Sequence, residues 1–129
     1  MAGRHRILLV DDELSVIKTV GRRLEIEGFE LLTALDGREA LVQARAGHPD
    51  LIILDLMLPK LNGYEVCTQL KQDAELRAIP VVIFTAKTQE RDEAMAMACG
   101  ADAYVRKPFR SEELLTKVRA LLPPPSAPA

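Results

Sequence analysis

The sequence predicts an α/β fold: a single doubly wound (βα)5 domain with a five-stranded parallel sheet of order 2-1-3-4-5. Three observations predict it. Apolar runs alternate with helix-period segments five times along the chain. The first, third and fourth runs are continuously apolar, as strands buried on both faces are, whereas the second and fifth are mixed. The length of 129 residues suits one domain and leaves no room for two.

The first strand is Ile7 to Val10, ending at Asp11-Asp12. Helix period follows at Ile17, Val20, Gly21 and Leu24, and Gly28 is a suitable stop. Gly21 opposes this helix by ~1 kcal/mol relative to Ala, a cost that close helix-to-sheet packing would explain. The second strand, Phe29 to Thr33, carries Glu30 and Thr33 and reads as an edge. Asp36 and Glu39 have capping-box spacing ahead of Ala40, Leu41 and Ala44, with Gly47 as the stop. The third strand, Leu51 to Leu54, ends at Asp55, and Asn62 with Glu65 caps a helix carrying Val66 and Leu70.

The fourth strand, Val81 to Phe84, ends at Thr85. Thr88 is a good N-cap type for a fourth helix over Ala94, Met97 and Ala98, which stops at Gly100. The fifth strand, Ala103 to Val105, is short beside Asp102 and Arg106 and reads as the other edge. Ser111 is an N-cap type for the last helix, with Leu114, Leu115, Val118 and Leu121 on one face. From Pro123 the chain is Pro-Pro-Pro-Ser-Ala-Pro-Ala, which cannot continue a helix and reads as a linker or free end.

Edges at the second and fifth strands fit the flavodoxin-like order 2-1-3-4-5. A dinucleotide-type order would put the very apolar third strand outside. In the favoured order the first and third strands are neighbours, so Asp11, Asp12 and Asp55 meet at the switch point, where open α/β sheets bind ligands, with Thr85 on the same rim.

Composition narrows the function. At 48% hydrophobic and 28% charged the chain is ordinary for a globular protein, and its apolar runs are too short to cross a bilayer. Seventeen basic against 19 acidic residues, net charge -2, give no footprint of direct nucleic-acid binding. Cys67 and Cys99 are isolated, with no CxxC pair, and read as reduced core thiols rather than a zinc site or disulfide framework, which favours the cytosol. Met1 to Arg6 runs directly into a strand pattern without space for a signal-peptide apolar region, so secretion is not expected.

Three carboxylates held together repel one another, and the arrangement persists only with protons or a cation to neutralise them. Mg²⁺ takes oxygen ligands and serves phosphate chemistry through one or two carboxylates. Lys107 would add a fixed positive charge near the rim. Phosphoryl transfer needs such neutralisation and an in-line nucleophile, and an Asp carboxylate can be that nucleophile, giving an acyl phosphate. Singly, each residue has an ordinary reading: an acidic pair in a solvated loop, Asp55 in a turn, Thr85 a β-former, Lys107 a surface lysine. Their joint placement at strand ends favours the site. Met95 and Met97 read as packing or surface residues. His5 and His48 lie away from the rim and receive no phosphohistidine role.

Four segments, VDDE at Val10 to Glu13, DLMLPKLNG at Asp55 to Gly63, TA at Thr85-Ala86 and KPF at Lys107 to Phe109, occur in register across the five βα units. In number, order and spacing they resemble the receiver domain (CheY-like) of two-component response regulators, over about Arg6 to Leu122. The resemblance implies a receiver domain over 1–122 and a Pro-rich tail or linker over 123–129. It implies that Asp55 accepts a phosphoryl group from a phosphohistidine on a sensor kinase or phosphotransfer protein. It implies Mg²⁺ held by Asp12 directly, Asp11 mostly through water, Asp55, and the backbone carbonyl of Met57. Thr85 would hydrogen-bond one phosphoryl oxygen and Lys107 pair with another, the Lys107-Pro108 bond being where a cis peptide would occur. Tyr104 would turn inward as Thr85 moves, carrying the signal to the face of fourth helix, fifth strand and fifth helix, through which a phosphorylation-dependent homodimer would form. Such a domain is a cytoplasmic signalling module that promotes only its own phosphorylation and dephosphorylation, without membrane insertion. Met57 and Lys87 match positions that tune phosphoryl lifetime.

Other classes fit less well. A haloacid-dehalogenase-type hydrolase places a DxDxT pattern after the first strand, but Asp11-Asp12-Glu13-Leu14-Ser15 lacks the second Asp and no cap domain is present. A flavin carrier would need a phosphate-binding loop where the acids stand, and no GxGxxG or P-loop occurs. A receiver that binds partners without phosphorylation is disfavoured by the complete set of rim residues. The subfamily stays open, since DLMLP resembles regulators with winged-helix DNA-binding domains while the extended Lys71 to Ala78 segment resembles stand-alone and cyclase-linked receivers.

Overall fold

The computed structural model describes residues 5–56, 58, 63–85, 98–106 and 111–122, with the backbone alone at Thr85, Arg106 and Ser111. The elements in chain order are β1 (Arg6–Val10), α1 (Leu14–Ile26), β2 (Glu30–Ala34), α2 (Gly37–Gly47), β3 (Leu51–Asp55), α3 (Gly63–Gln72), β4 (Val81–Thr85), β5 (Ala103–Arg106) and a C-terminal helix, Ser111–Leu121. The expected caps at Asn62 and Thr88, the fourth-helix positions Ala94, Met95 and Met97, and the tail 123–129 lie outside the described residues. Ala98 is helical and is followed by a turn at Cys99 and Gly100.

All strand pairs are parallel and the order is β2-β1-β3-β4-β5, as the apolar patterning predicts. Side chains alternate between the two faces of the sheet. Leu8, Val10, Ile52, Leu54, Val81 and Ile83 pack with Ala40, Leu41 and Ala44 of α2 and with Val66, Cys67 and Leu70 of α3. Ile7, Leu9, Leu51, Ile53, Val82 and Phe84 pack on the other side with Leu24 of α1 and Leu114, Leu115 and Val118 of the C-terminal helix. Among the described residues two helices cover each face, and the central strands are excluded from water. Each such buried Leu, Ile or Val contributes about 1.5–3 kcal/mol.

Local signals behave as physical chemistry requires, with two corrections. Asp36 accepts the Glu39 N–H at 2.8 Å, capping α2. Gly28 (φ 97°) closes α1, with its N–H on Glu25 O and Phe29 N–H on Leu24 O. Gly47 is not the left-handed stop of α2; His48 takes that conformation, φ 43°. Gly47 is instead needed for closeness, because a Cβ there would stand 2.4 Å from Leu32 Cδ1 of β2. Ser111 is the first helical residue rather than a flanking cap. Gly21 does face the sheet closely, a Cβ there falling 2.8 Å from Leu31 Cδ2 and 3.7 Å from Leu9 Cδ2.

The edge of the sheet away from the strand C-termini is tied by charges. Arg6 N–H donates to Asp50 Oδ2 at 2.7 Å and Asp50 N–H to Arg6 O at 2.7 Å, while the Arg6 guanidinium reaches Gly47 O and Glu30. His5 sits there too, 3.8 Å from Asp50, and His48 follows α2 at the same end. On the α3 side, Lys71 Nζ donates to Ile79 O at 2.8 Å and pairs with Asp102 Oδ2 at 3.0 Å. Asp102 Oδ2 also accepts Val81 N–H at 2.8 Å, and Asp102 N–H donates to Val81 O at 2.8 Å. The segment between α3 and β4 is thereby fastened to the start of β5.

Candidate functional site

β1 ends because Asp11 turns the chain. Its N–H still donates to Ala34 O of β2 at 3.1 Å, extending the ladder one residue, but its Oδ1 accepts the N–H of Glu13 at 2.8 Å. This Asx-turn leads into α1, whose N-cap Glu13 makes no side-chain cap of its own. Asp11 is consequently buried and Asp12, at the bend, exposed.

β3 brings the third acid. Asp55 is its last residue, 3% exposed and level with Phe84 of β4. Because β1 and β3 are hydrogen-bonded neighbours, oxygen atoms of Asp11, Asp12 and Asp55 all lie within 4.8 Å of one another. Asp11 and Asp55 are also the buried polar side chains of the core, and among the described residues no other charged side chain is as deeply covered. Among the described residues all of the deeply buried acidic groups are thus gathered at one rim.

At an effective dielectric of ~20, two full charges ~5 Å apart repel by roughly 3 kcal/mol. A site of this kind needs a positive charge or protons for neutralisation. The donor set is entirely carboxylate oxygen, with two acids fixed by burial and one on the solvent side. That set fits a hard divalent cation such as Mg²⁺, which takes oxygen ligands and retains waters; sulfur and imidazole, which softer metals prefer, are absent from the cluster.

The start of α3 presses on the backbone directly after Asp55. Gly63 N–H donates to Leu56 O at 3.0 Å, and a Cβ on Gly63 would lie 2.5 Å from Asp55 O and 2.6 Å from Leu56 Cα. Leu56 itself is 2% exposed. Residue 63 therefore positions the Asp55-Leu56 peptide. Gly63 belongs to the DLMLPKLNG segment, but its closeness to the Asp55 backbone is visible only in three dimensions.

The remaining expected site residues divide into two groups. Thr85 is the last residue of β4, on the strand beside Asp55 and in register with Arg106. Tyr104 is half-buried on β5, in register with Ile83, and packs against the α2/α3 side of the core. Met57, Lys87, Lys107, Pro108 and the side chain of Thr85 lie outside the described residues. Among the described residues no helix is long and apolar enough to cross a membrane.

Known proteins resemble this chain in sequence and in fold. The chain is 45% identical over 117 residues to the alkaline phosphatase synthesis transcriptional regulatory protein PhoP of Bacillus subtilis, a match covering 91% of this chain and 48% of PhoP. It is 44% identical over 119 residues to the DNA-binding response regulator MtrA of Mycobacterium leprae, covering 92% of this chain and 52% of MtrA. It thus spans about half the length of these curated relatives. The chemotaxis protein CheY4 of Vibrio cholerae superposes with a TM-score of 0.88 at 32% identity, covering 93% of this chain and 100% of that one. A signal receiver domain of a histidine kinase from Syntrophus aciditrophicus superposes with a TM-score of 0.86 at 35% identity, covering 92% and 89%. The response regulator receiver domain family matches residues 7–119, almost the whole described fold and all three clustered acids; the chain belongs to that family.

Proposed function

We propose that this domain is a phosphorylation switch in which Asp55 accepts a phosphoryl group from a phosphohistidine on a sensor kinase or phosphotransfer protein. The observation that carries the reading is the burial of Asp55 at the end of β3, within 4.8 Å of Asp11 and Asp12. An Asp55 oxygen attacks phosphorus in line, the P–N bond to the donor imidazole breaks, and the imidazole nitrogen takes up a proton. Asp11, Asp12, Asp55 and the backbone carbonyl of Met57 would hold Mg²⁺, which when bound neutralises charge on the transferring oxygens. The Asx-turn and the β1–β3 ladder fix the acids beforehand, so their alignment costs little at the moment of reaction.

In the phosphorylated state the Thr85 hydroxyl donates to one phosphoryl oxygen and Lys107 pairs with another. The acyl phosphate carries more charge and more acceptor oxygens than the carboxylate it replaces. The domain switches to the extent that these two groups bind it better in one conformation than in the other, and a few kcal/mol suffice. Tyr104 on β5 carries the change to the surface built from the fourth helix, β5 and the C-terminal helix, where a phosphorylation-dependent homodimer or an output partner docks. The domain acts in the cytoplasm and turns over only its own phosphoryl group.

With Mg²⁺ and a small acyl phosphate donor, the wild type gains one acid-stable, hydroxylamine-labile phosphoryl group by intact mass, mapped to Asp55. Asp55→Asn gains none at that position. Modification of the variant at the same residue would overturn the assignment of the acceptor.

A further inference from the structure

The two cysteines are 32 positions apart and isolated in the sequence, yet the fold brings them together. Cys67, buried on α3, points its thiol at the Cys99 carbonyl, Sγ to O 3.5 Å, so the two cysteines are in direct contact. Cys99 is half-buried in the turn that precedes Gly100, and neither residue is in a disulfide. One helical turn further along α3, Lys71 holds the same segment. A Cβ on Gly100 would meet Lys71 Cγ at 2.7 Å, and Lys71 Nζ is paired with Asp102 at 3.0 Å. The chain just after Cys99 is thus fastened to α3 by the Lys71 contacts.

We propose that Cys67 and Cys99 form a reversible thiol–disulfide site closed by hydrogen peroxide. The half-buried Cys99 meets the oxidant first. Its sulfur takes one peroxide oxygen as the O–O bond breaks, giving a sulfenic acid, and the other oxygen leaves as water with the thiol proton. The Cys67 sulfur then attacks the Cys99 sulfur. The S–S bond forms, the S–O bond breaks, and the hydroxide leaves with the Cys67 proton as a second water. The peroxide gains two electrons and each sulfur gives one.

Burial pushes the Cys67 thiol well above the usual range, which keeps it from acting as the first nucleophile and suits it to the second step. In that step closeness replaces acidity, since a thiol already held against the residue that carries the sulfenic sulfur reacts at a high effective molarity. Closure also intercepts the sulfenic acid before further oxidation.

The test treats the full chain with hydrogen peroxide, alkylates remaining thiols under denaturing conditions and maps peptides without reduction. The expected result is an intramolecular Cys67–Cys99 linked peptide, joint loss of both alkylatable thiols, and return of both with dithiothreitol. In Cys99→Ser, checked for native secondary structure, Cys67 remains alkylatable after the same exposure. Accumulation of Cys99 as sulfinic acid or as an intermolecular disulfide while Cys67 stays a thiol would overturn the proposal. So would loss of Cys67 in Cys99→Ser at the wild-type rate.

Discussion

Replacing Gly63 with Ala tests whether this glycine sets the position of Asp55. The added Cβ would sit 2.5 Å from Asp55 O and 2.6 Å from Leu56 Cα, against an ordinary carbon contact of ~3.5–4.0 Å. Relief therefore needs a movement of about 1 Å, and both obstructing atoms are backbone. β3 cannot retreat, being paired with β1 on one side and β4 on the other. The first turn of α3 must lift, straining the Gly63 N–H to Leu56 O bond. Overpacking costs about 1–3 kcal/mol and the hydrogen bond about 1 kcal/mol, offset by about 1 kcal/mol from replacing a glycine in a helix. The net expectation is a loss of about 1–3 kcal/mol. The chain has no Trp, so urea unfolding is followed by far-ultraviolet circular dichroism, and the midpoint should fall by roughly 1 M. Mg²⁺ affinity measured by calorimetry should fall several-fold, as when groups that orient metal ligands are disturbed. Gly21→Ala is the control: its Cβ meets the end of the Leu31 side chain at 2.8 Å, which can swing aside, so stability should change by less than about 1 kcal/mol. A Gly63→Ala protein with wild-type midpoint and Mg²⁺ affinity, or a Gly21→Ala protein that is the worse of the two, would refute the reasoning.

Two other perturbations separate the site from the scaffold. Mg²⁺ should raise the wild-type melting temperature by mass action and leave that of Asp12→Ala almost unchanged; an equal rise in both proteins would remove Asp12 from the metal ligands. Lys71→Met leaves Asp102 without its cation and the Ile79 carbonyl without its donor, and should cost about 1–2 kcal/mol in urea unfolding, discounted because Asp102 is partly exposed. Its Mg²⁺ affinity should stay at the wild-type value, and a parallel loss would show that the two ends of the sheet are coupled.

The fold was readable because burial on both faces writes itself into the chain. Uninterrupted runs such as Leu51-Ile52-Ile53-Leu54 can lie only inside the sheet, and Glu30 in β2 can lie only at its edge. Strand order then follows, and with it the meeting of Asp11, Asp12 and Asp55. Features that depend on distance between remote segments left no periodic trace. Cys67 and Cys99 read as isolated, although they touch across 32 positions. The Lys71–Asp102 pair spans 31 positions and looks like two ordinary surface charges. At the end of α2, the general preference for glycine in a left-handed cap misplaces the stop. Gly47 is held where Leu32 leaves no space for a Cβ, so the next residue, His48, makes the reversal.

The placement of the acids within the sheet has a mechanical consequence. Asp11 and Asp55 stand at the tips of β1 and β3, each of which has a bonded neighbour on both sides and helices above and below, whereas β5 is bonded on one side only. Stiffness is therefore unequal across the molecule. The two strands that carry the charges form a fixed mount, and the sheet is held least at its two margins, β2 beside β1 and β5 beside β4. A displacement begun at the mount would be taken up at those margins, of which the outer side of β5 is one.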